Sequence, residues 1–168
     1  MRDLKKIFEN CVKLVEEAGI HDYGNIVNVK VNTRAKHRWG QTVDLGFNKY
    51  EIEINKILLD EETKLEGLQN TIIHEILHTC PNCFNHGDEW VRRAEIVKRE
   101  LGYNIKRVNN AQEKGIPEKV LKTYYEPKYI VRCTHCGHEA KRDRMCGIIK
   151  HPDCWRCGVC GGTFQRIK

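Results

Sequence analysis

Apolar residues near the start of the chain follow a helical period. They recur at spacings of three and four residues between positions 4 and 17, and Gly19 follows as a stop signal. The apolar face comprises Leu4, Ile7, Phe8, Cys11, Leu14 and Val15. The pattern therefore predicts an amphipathic first helix over residues 4–17.

The next segment changes to a β-type pattern. Residues 26–31 alternate after Val27, residues 50–54 alternate cleanly, and the segment from about His37 to Val43 fits a strand between them. Gly40 and Gly46 are interpreted as turn residues. Together these segments predict a small sheet.

Two more helices are predicted downstream. Asp60 is placed to cap the first, which should reach His78 and end before Cys80-Pro81. Its buried side is expected to comprise Leu65, Leu68, Ile72, Ile73, Ile76 and Leu77. The second helix should run from Asp88 to Leu101, with Gly102 as its C-terminal signal.

A change of composition divides the chain. Residues 103–128 are polar and poorly periodic, and from Tyr129 onward Cys, Gly and Arg dominate. We predict an α+β fold, with helices packed on a small sheet over residues 1–110. A linker over 111–128, holding one short helix, and a small C-terminal module over 129–168 complete the expected organisation.

The composition narrows the function classes. The 168 residues contain no apolar run near the roughly 18 needed to span a bilayer, and the start does not resemble a signal peptide. We therefore expect a cytoplasmic protein without a membrane partner. In that reducing compartment, an odd number of cysteines, nine, indicates metal ligands rather than disulfides.

The charge is unevenly distributed. Residues 1–100 carry a formal charge of −2 and residues 101–168 carry +8, which together give the net +6. A basic C-terminal third suggests an anionic partner such as nucleic acid, although on charge alone a solvated basic surface is the simpler interpretation.

The first chemical motif is His74-Glu75-Ile76-Leu77-His78, on the predicted second helix. Residues four apart share a helical face, so both imidazoles can bind one Zn²⁺. Glu75 then lies beside the metal as a general base for zinc-bound water.

A catalytic zinc usually takes a third protein ligand. His86 is the favoured candidate, because a reversal at 80–83 can bring it back over the metal and Gly87 gives it a flexible neighbour. Glu89 and Glu95 on the following helix are the alternatives.

The second motif consists of two cysteine pairs, Cys133/Cys136 and Cys157/Cys160, each followed by glycine. Their spacing is typical of a four-cysteine structural zinc site. Cys154 could replace one member of the second pair. The chain is therefore expected to hold two zinc ions, one catalytic and one structural.

Basic residues cluster around these cysteines. They are Arg132, Lys141, Arg142, Arg144, Lys150 and Arg156. With Trp155 and Phe164 as stacking surfaces, they could bind single-stranded or distorted DNA without sequence preference. The two aromatic rings could equally form the small core of the module.

These motifs together resemble the SprT-like (Spartan-related) zinc metalloproteases. The matching features are His74-Glu75-x-x-His78, the later His86-Gly87-Asp88-Glu89-Trp90, the strand region with Gly40, Ile52 and Ile54, and a C-terminal zinc ribbon. The short segment between His78 and His86, with Cys80 and Cys83, departs from the family pattern.

The resemblance implies a zincin-like catalytic domain with zinc on His74, His78 and His86 and with Glu75 as general base. It further implies cleavage of proteins bound or crosslinked to DNA, and thus a role in DNA repair close to the nucleoid of a prokaryote or phage. The alternative is a nucleic-acid-binding regulatory zinc protein whose zincin domain is catalytically silent.

Overall fold

A computed structural model describes residues 1–36 and 38–168 and divides the chain into two compact units, Met1–Tyr124 and Tyr125–Lys168. The first unit combines helices with one sheet, so the fold is α+β as the pattern predicts. Its elements are α1 (Leu4–Glu17), β1 (Asn25–Asn32), β2 (Gly40–Asp44), β3 (Lys49–Asn55), α2 (Leu65–Leu77), α3 (Asp88–Leu101) and α4 (Glu118–Tyr124).

Helices α1 and α3 have the predicted bounds because local signals define both ends. The side chain of Asp3 caps α1 by accepting a hydrogen bond from Lys6 N (3.2 Å), and Gly19 follows with φ 80°. Gly102 ends α3 in the left-handed conformation, with φ 75°. Glycine enters this region at little cost, which explains why both stop signals could be recognised.

The sheet has the strand order β1-β3-β2. The central strand β3 runs parallel to β1 and antiparallel to β2. Its Ile52 and Ile54 are fully buried, so one face of the sheet packs on the core. Strand β2 begins at Gly40, which is therefore a strand residue and not the predicted turn; His37, where the predicted strand began, lies outside the described residues.

Helix α2 starts later than predicted. Asp60 does not cap it, because its carboxylate accepts a hydrogen bond from Glu62 N (2.9 Å) in a local turn, and α2 begins only at Leu65. Leu65 itself is 43% exposed, whereas the other predicted apolar positions are fully buried: Leu68, Ile72, Ile73, Ile76 and Leu77. A helix buried on most sides can hold a functional side chain rigidly.

The segment after α3 belongs to the first unit. Lys64 N donates to Gly115 O (3.0 Å), and Gly67 in α2 packs against the carbonyl group of Lys114. Helix α4 follows, and the Tyr124 hydroxyl donates to Asn55 Oδ1 (2.9 Å). Residues 111–124, which the composition assigned to a linker, thus belong to the first unit, with Lys114 and Gly115 packed against the start of α2.

The second unit is a small three-stranded module with strand order β5-β4-β6. It contains β4 (Tyr129–Cys133), β5 (Glu139–Arg142), α5 (Gly147–Lys150) and β6 (Phe164–Arg166). Its core comprises Val131, Cys133, Ile148, Ile149, Cys157 and Phe164. Phe164 is therefore a packing residue rather than a stacking surface, whereas Trp155 is 49% exposed. Across both units, none of the described helices is long and apolar enough to cross a membrane.

Candidate metal sites and active-site cleft

Three imidazoles meet at the C-terminal end of α2. His74 and His78 lie one turn apart, and the loop before α3 brings His86 against them. His74 Nε2 lies 3.1 Å from His78 Nε2 and 3.0 Å from His86 Nε2. Three nitrogens that share one tetrahedral zinc are about 3.3 Å apart, so this spacing fits a metal site.

The opposite ring nitrogens show which atoms are available for a metal. His78 Nδ1 lies 2.8 Å from the carbonyl oxygen of Cys83, and His74 Nδ1 lies 3.1 Å from that of Lys106. A carbonyl only accepts, so each Nδ1 carries the proton and each Nε2 presents a lone pair. Imidazole ligands of zinc are held in this way by outer hydrogen bonds.

Burial keeps these imidazoles neutral. It lowers the pKa of His74 to about 3, with the neighbouring His78 and His86 adding to the effect. Burial also lowers the pKa of His78 and of His86. Neutral rings can bind a metal ion without first losing a proton.

Trp90 forms one wall of the histidine cluster. Its ring centroid lies 4.8 Å from that of His74, 5.7 Å from that of His78 and 4.6 Å from that of His86. The residue is 1% exposed, so the imidazoles pack on a rigid surface. This explains the use of a large aromatic residue four positions after His86.

The two alternative ligands lie elsewhere. Glu89 Oε1 binds Arg92 Nη2 (2.7 Å) and Arg93 Nε (3.0 Å), and Glu95 is an exposed residue on α3. The group of described residues that could hold a metal in this unit consists of His74, His78 and His86. The structure therefore brings together His74, His78 and His86, the ligands that the sequence favours. Metal binding by these three residues stays a prediction.

Glu75 is buried beside the cluster, with 5% of its surface exposed. The Thr42 hydroxyl on β2 lies 2.9 Å from Glu75 Oε2 and 2.8 Å from Glu75 O. Burial raises the pKa of Glu75 to about 7, and the hydrogen bond from Thr42 opposes that rise. A carboxyl group with this pKa can exchange protons near neutral pH.

Gly40 makes room for Glu75. A Cβ atom at this position would lie 2.5 Å from Glu75 Oε1 and 2.9 Å from Thr71 Cγ2. Any larger residue would displace the carboxylate. The sequence pattern marked Gly40 as a turn, but close approach of strand and helix explains it.

A cleft of about 470 Å³ opens over these groups. Much of one wall comes from residues 106–114, which the sequence pattern placed near or in a linker. Lys106 O holds His74, Asn109 O accepts from Trp39 Nε1 (2.8 Å), and the Arg107 guanidinium donates to His86 O. Two of these contacts use backbone carbonyls of this segment, which any residue offers, so no residue type signalled them.

Lys114 also lines the cleft and was not anticipated. It is 4% exposed, and burial lowers its pKa to about 8 while the charge of Glu75 opposes that shift. Its ammonium group interacts electrostatically with Glu75 and adds to the positive charge of Arg38 and Arg107, which also line the cleft. Lysine in a polar segment gives no sequence signal for such a position.

Strand β2 presents an open edge to the cleft. The hydrogen bond from Asn55 N to Trp39 O (2.8 Å) shows which residues of this strand pair with β3. Residues whose backbone groups face β3 alternate along the strand with residues whose backbone groups face away. The backbone groups facing away from β3 are those of Gly40, Thr42 and Asp44. Within the described part of the chain they have no backbone partner.

The second unit brings its two cysteine pairs together. The Sγ atoms of Cys133 and Cys160 are 3.5 Å apart, and those of Cys136 and Cys157 are 3.7 Å apart. Four thiolates around one zinc are about 3.8 Å apart, so the four sulfurs fit a structural zinc site. Cys154 is exposed and lies outside this group.

Backbone geometry around these cysteines fits thiolate ligands. Gly137 and Gly161 follow the pairs with φ of 75° and 72°. Hydrogen bonds from the backbone N–H groups of Cys136 and His135 lower the pKa of the Cys133 thiol to about 6. Thiolate is the form that binds zinc, so these backbone N–H groups favour the required ionisation of Cys133.

The basic residues singled out around the cysteines are all exposed, and they differ in their partners. Arg132 Nη2 binds Glu139 (2.8 Å), and Arg156 Nη1 donates to Asp153 O (2.8 Å). Arg144 and Lys150 have no ion pair among the described residues. The module therefore offers positive charge that its own carboxylates do not neutralise.

Comparison with known proteins identifies the first unit. A family model described as the SprT-like family matches residues 5–112, nearly two thirds of the chain. The matched span includes the histidine cluster, Glu75 and the open strand β2. Among curated proteins, none matches the chain.

Proposed function

Because the chain belongs to the SprT-like family, which indicates a zincin-like metalloprotease-type domain, we propose that it hydrolyses peptide bonds with zinc held by His74, His78 and His86. The observation that carries the proposal is the convergence of three imidazole Nε2 atoms beside a buried carboxylate at an open strand edge. A zinc ion bound there would polarise the scissile carbonyl and make a water molecule more acidic.

Glu75 acts as the general base. Its carboxylate, placed by Thr42, takes a proton from the attacking water and then passes it to the leaving amine. Burial raises the pKa of Glu75, and a more basic carboxylate is better able to take a proton from water.

The open edge of β2 positions the substrate. An extended peptide can pair with the backbone groups of Gly40 and Thr42, as peptides add to exposed sheet edges elsewhere. Both residues line the cleft, so a peptide paired there passes over the histidine cluster. Folded proteins seldom offer an extended chain, so unfolded or crosslinked proteins are the favoured substrates.

The second unit directs the protease to DNA. Its exposed cations suit phosphate contacts, and exposed Trp155 offers a ring on which a base can stack. We propose that the substrates are proteins bound or crosslinked to DNA, with single-stranded or distorted DNA bound without sequence preference.

The decisive experiment compares wild type with Glu75→Gln on a DNA-bound protein, with and without the DNA. The amide keeps the size of the side chain and leaves all three imidazoles in place. Cleavage should fall at least a hundredfold, with zinc content and circular dichroism unchanged. Equal cleavage by both proteins would refute the role of Glu75, and DNA binding without cleavage by the wild type would instead favour a silent regulatory domain.

A further inference from the structure

Leu45 and Phe47, at the tip of the β2–β3 hairpin, expose large apolar side chains. Phe47 is 99% exposed and Leu45 is 52% exposed. Phe47 and the following Asn48 also adopt positive φ values of 53° and 57°. A bulky residue is strained in this region, where asparagine or glycine would serve the turn at lower cost. Neither strain nor exposure helps the fold, so Phe47 points to a contact outside the chain.

The hairpin tip lies at the end of the strand that leads away from the cleft. Gly40 and Thr42 line the cleft, and Leu45 follows β2 directly. At about 3.3 Å per residue, the path from Gly40 to Leu45 covers roughly 17 Å. A peptide paired with the open edge would therefore reach the tip four to six residues from its scissile bond.

Exposed apolar residues also line the cleft itself. Phe84 (60% exposed) and Val108 (83% exposed) both line the cleft. Apart from Met1, these two with Leu45 and Phe47 are the most exposed large apolar side chains among the described residues of the first unit. Their placement fits a long chain that carries apolar side chains both in the cleft and beyond the end of β2.

We propose that Leu45 and Phe47 form an exosite that binds large apolar side chains of an extended polypeptide, four to six residues from the bond cleaved at the histidine cluster. The inference rests on the proposed protease function and names its substrate class. The exosite selects chain segments rich in residues that folded proteins bury, and so discriminates unfolded or disrupted proteins from intact ones.

The test uses the double variant Leu45→Asn/Phe47→Asn, because asparagine tolerates positive φ and leaves the turn intact. Val27→Asn is the matched control: Val27 is 49% exposed and lies on β1, at the opposite edge of the same sheet. The substrates are a quenched tetrapeptide that spans the cleft alone and two dodecapeptides with the same central sequence. One dodecapeptide carries Leu and Phe four to six residues before the scissile bond, and the other carries them after it.

The double variant should raise KM about tenfold for one of the two dodecapeptides, with kcat unchanged, since the loss of buried apolar area weakens binding by this order. The tetrapeptide should be cleaved as by wild type, and Val27→Asn should behave as wild type throughout. Unchanged KM for both dodecapeptides would overturn the exosite, as would an equal loss on the tetrapeptide. Reduced DNA affinity with unchanged KM would assign Phe47 to nucleic acid and overturn it too.

A binding measurement separates the exosite from the protease proposal. Fluorescence anisotropy of each labelled dodecapeptide needs no turnover. If wild type binds the preferred peptide and the double variant does not, while neither cleaves it, the exosite stands and the proposed protease activity fails. If all peptides are cleaved but anisotropy is the same for both proteins, the protease activity stands and the exosite fails.

Discussion

Single residues at the cleft show how closely sheet and helix are fitted together. Gly40 leaves the space that the Glu75 carboxylate occupies, and Thr42, two residues along the same strand, holds that carboxylate by a hydrogen bond of 2.9 Å. Alternation along β2 points the side chain of Thr42 and the missing side chain of Gly40 to the same face. One face of β2 therefore leaves room for the Glu75 carboxylate and also orients it by a hydrogen bond.

The proposed metal ligands give a residue-scale prediction. His74→Ala removes the imidazole whose Nε2 faces both others, so the first unit should lose its zinc while the four cysteines keep theirs. Purified wild type should contain about two zinc ions per chain and the variant about one, as measured by plasma emission spectrometry. A matched Cys136→Ser variant should lose the other ion. A single zinc that survives His74→Ala would contradict the histidine site.

At the scale of elements, the contact between α2 and residues 110–115 gives the next prediction. Alanine is normally better than glycine inside a helix by about 1 kcal/mol, but a Cβ atom at Gly67 would overlap the carbonyl of Lys114. Gly67→Ala should therefore lower the free energy of unfolding by about 1–3 kcal/mol, as overpacking does. Urea denaturation provides the measurement.

Glu66→Ala is the control for this contact. Glu66 is exposed in the first turn of α2, so its replacement should lower stability by less than about 1 kcal/mol, the contribution of one carboxylate near a helix N-terminus. A stabilised Gly67→Ala variant would show that residues 110–115 do not pack on α2 in solution, and the wall of the cleft that contains Lys114 would then be misplaced.

The predictability of each element depended on where its signals lie. Helices α1 and α3 were predicted to the residue because capping and glycine signals are local. The predicted start of α2 was wrong because the Asp60 carboxylate accepts a hydrogen bond in a local turn instead of capping the helix. An aspartate can play either role, and the sequence pattern does not show which one it takes. The role of residues 106–114 was missed since backbone carbonyls make its key contacts.

The residues of the candidate site also differ in whether a local sequence signal could predict them. The spacing of His74 and His78 brought two imidazoles together by helix periodicity alone, and His86 was favoured over Glu89 from its place before a helix. Thr42 and Lys114 could not be anticipated, because they reach Glu75 through sheet register and through packing on α2. Contacts between distant segments depend on the whole fold, so a single sequence carries little trace of them.

At the scale of the whole molecule, the two parts of the chain differ in net charge as well as in the site that each contains. Residues 1–100 carry −2 and residues 101–168 carry +8, and Arg142 and Arg144 are exposed between the cysteine pairs. Nonspecific DNA affinity depends on the number of phosphates that cations neutralise, and its dependence on salt measures that number. The charge pattern therefore leads to a quantitative test of the proposed DNA partner.

Replacing Arg142 and Arg144 by Gln should weaken binding to single-stranded DNA and reduce the slope of log affinity against log salt by about one to two units, about 0.7 for each lost contact. Fluorescence anisotropy across a salt series measures both quantities. The control, Lys5→Gln/Lys13→Gln, makes the same charge change at exposed positions on α1. Cleavage of a DNA-bound protein should fall with the arginine variant alone, whereas cleavage of a free peptide should not change, because the arginines belong to the second unit and the proposed catalytic residues to the first. Equal salt slopes for wild type and both variants would show that the positive charge of the second unit is a solvated surface and that DNA is not its partner.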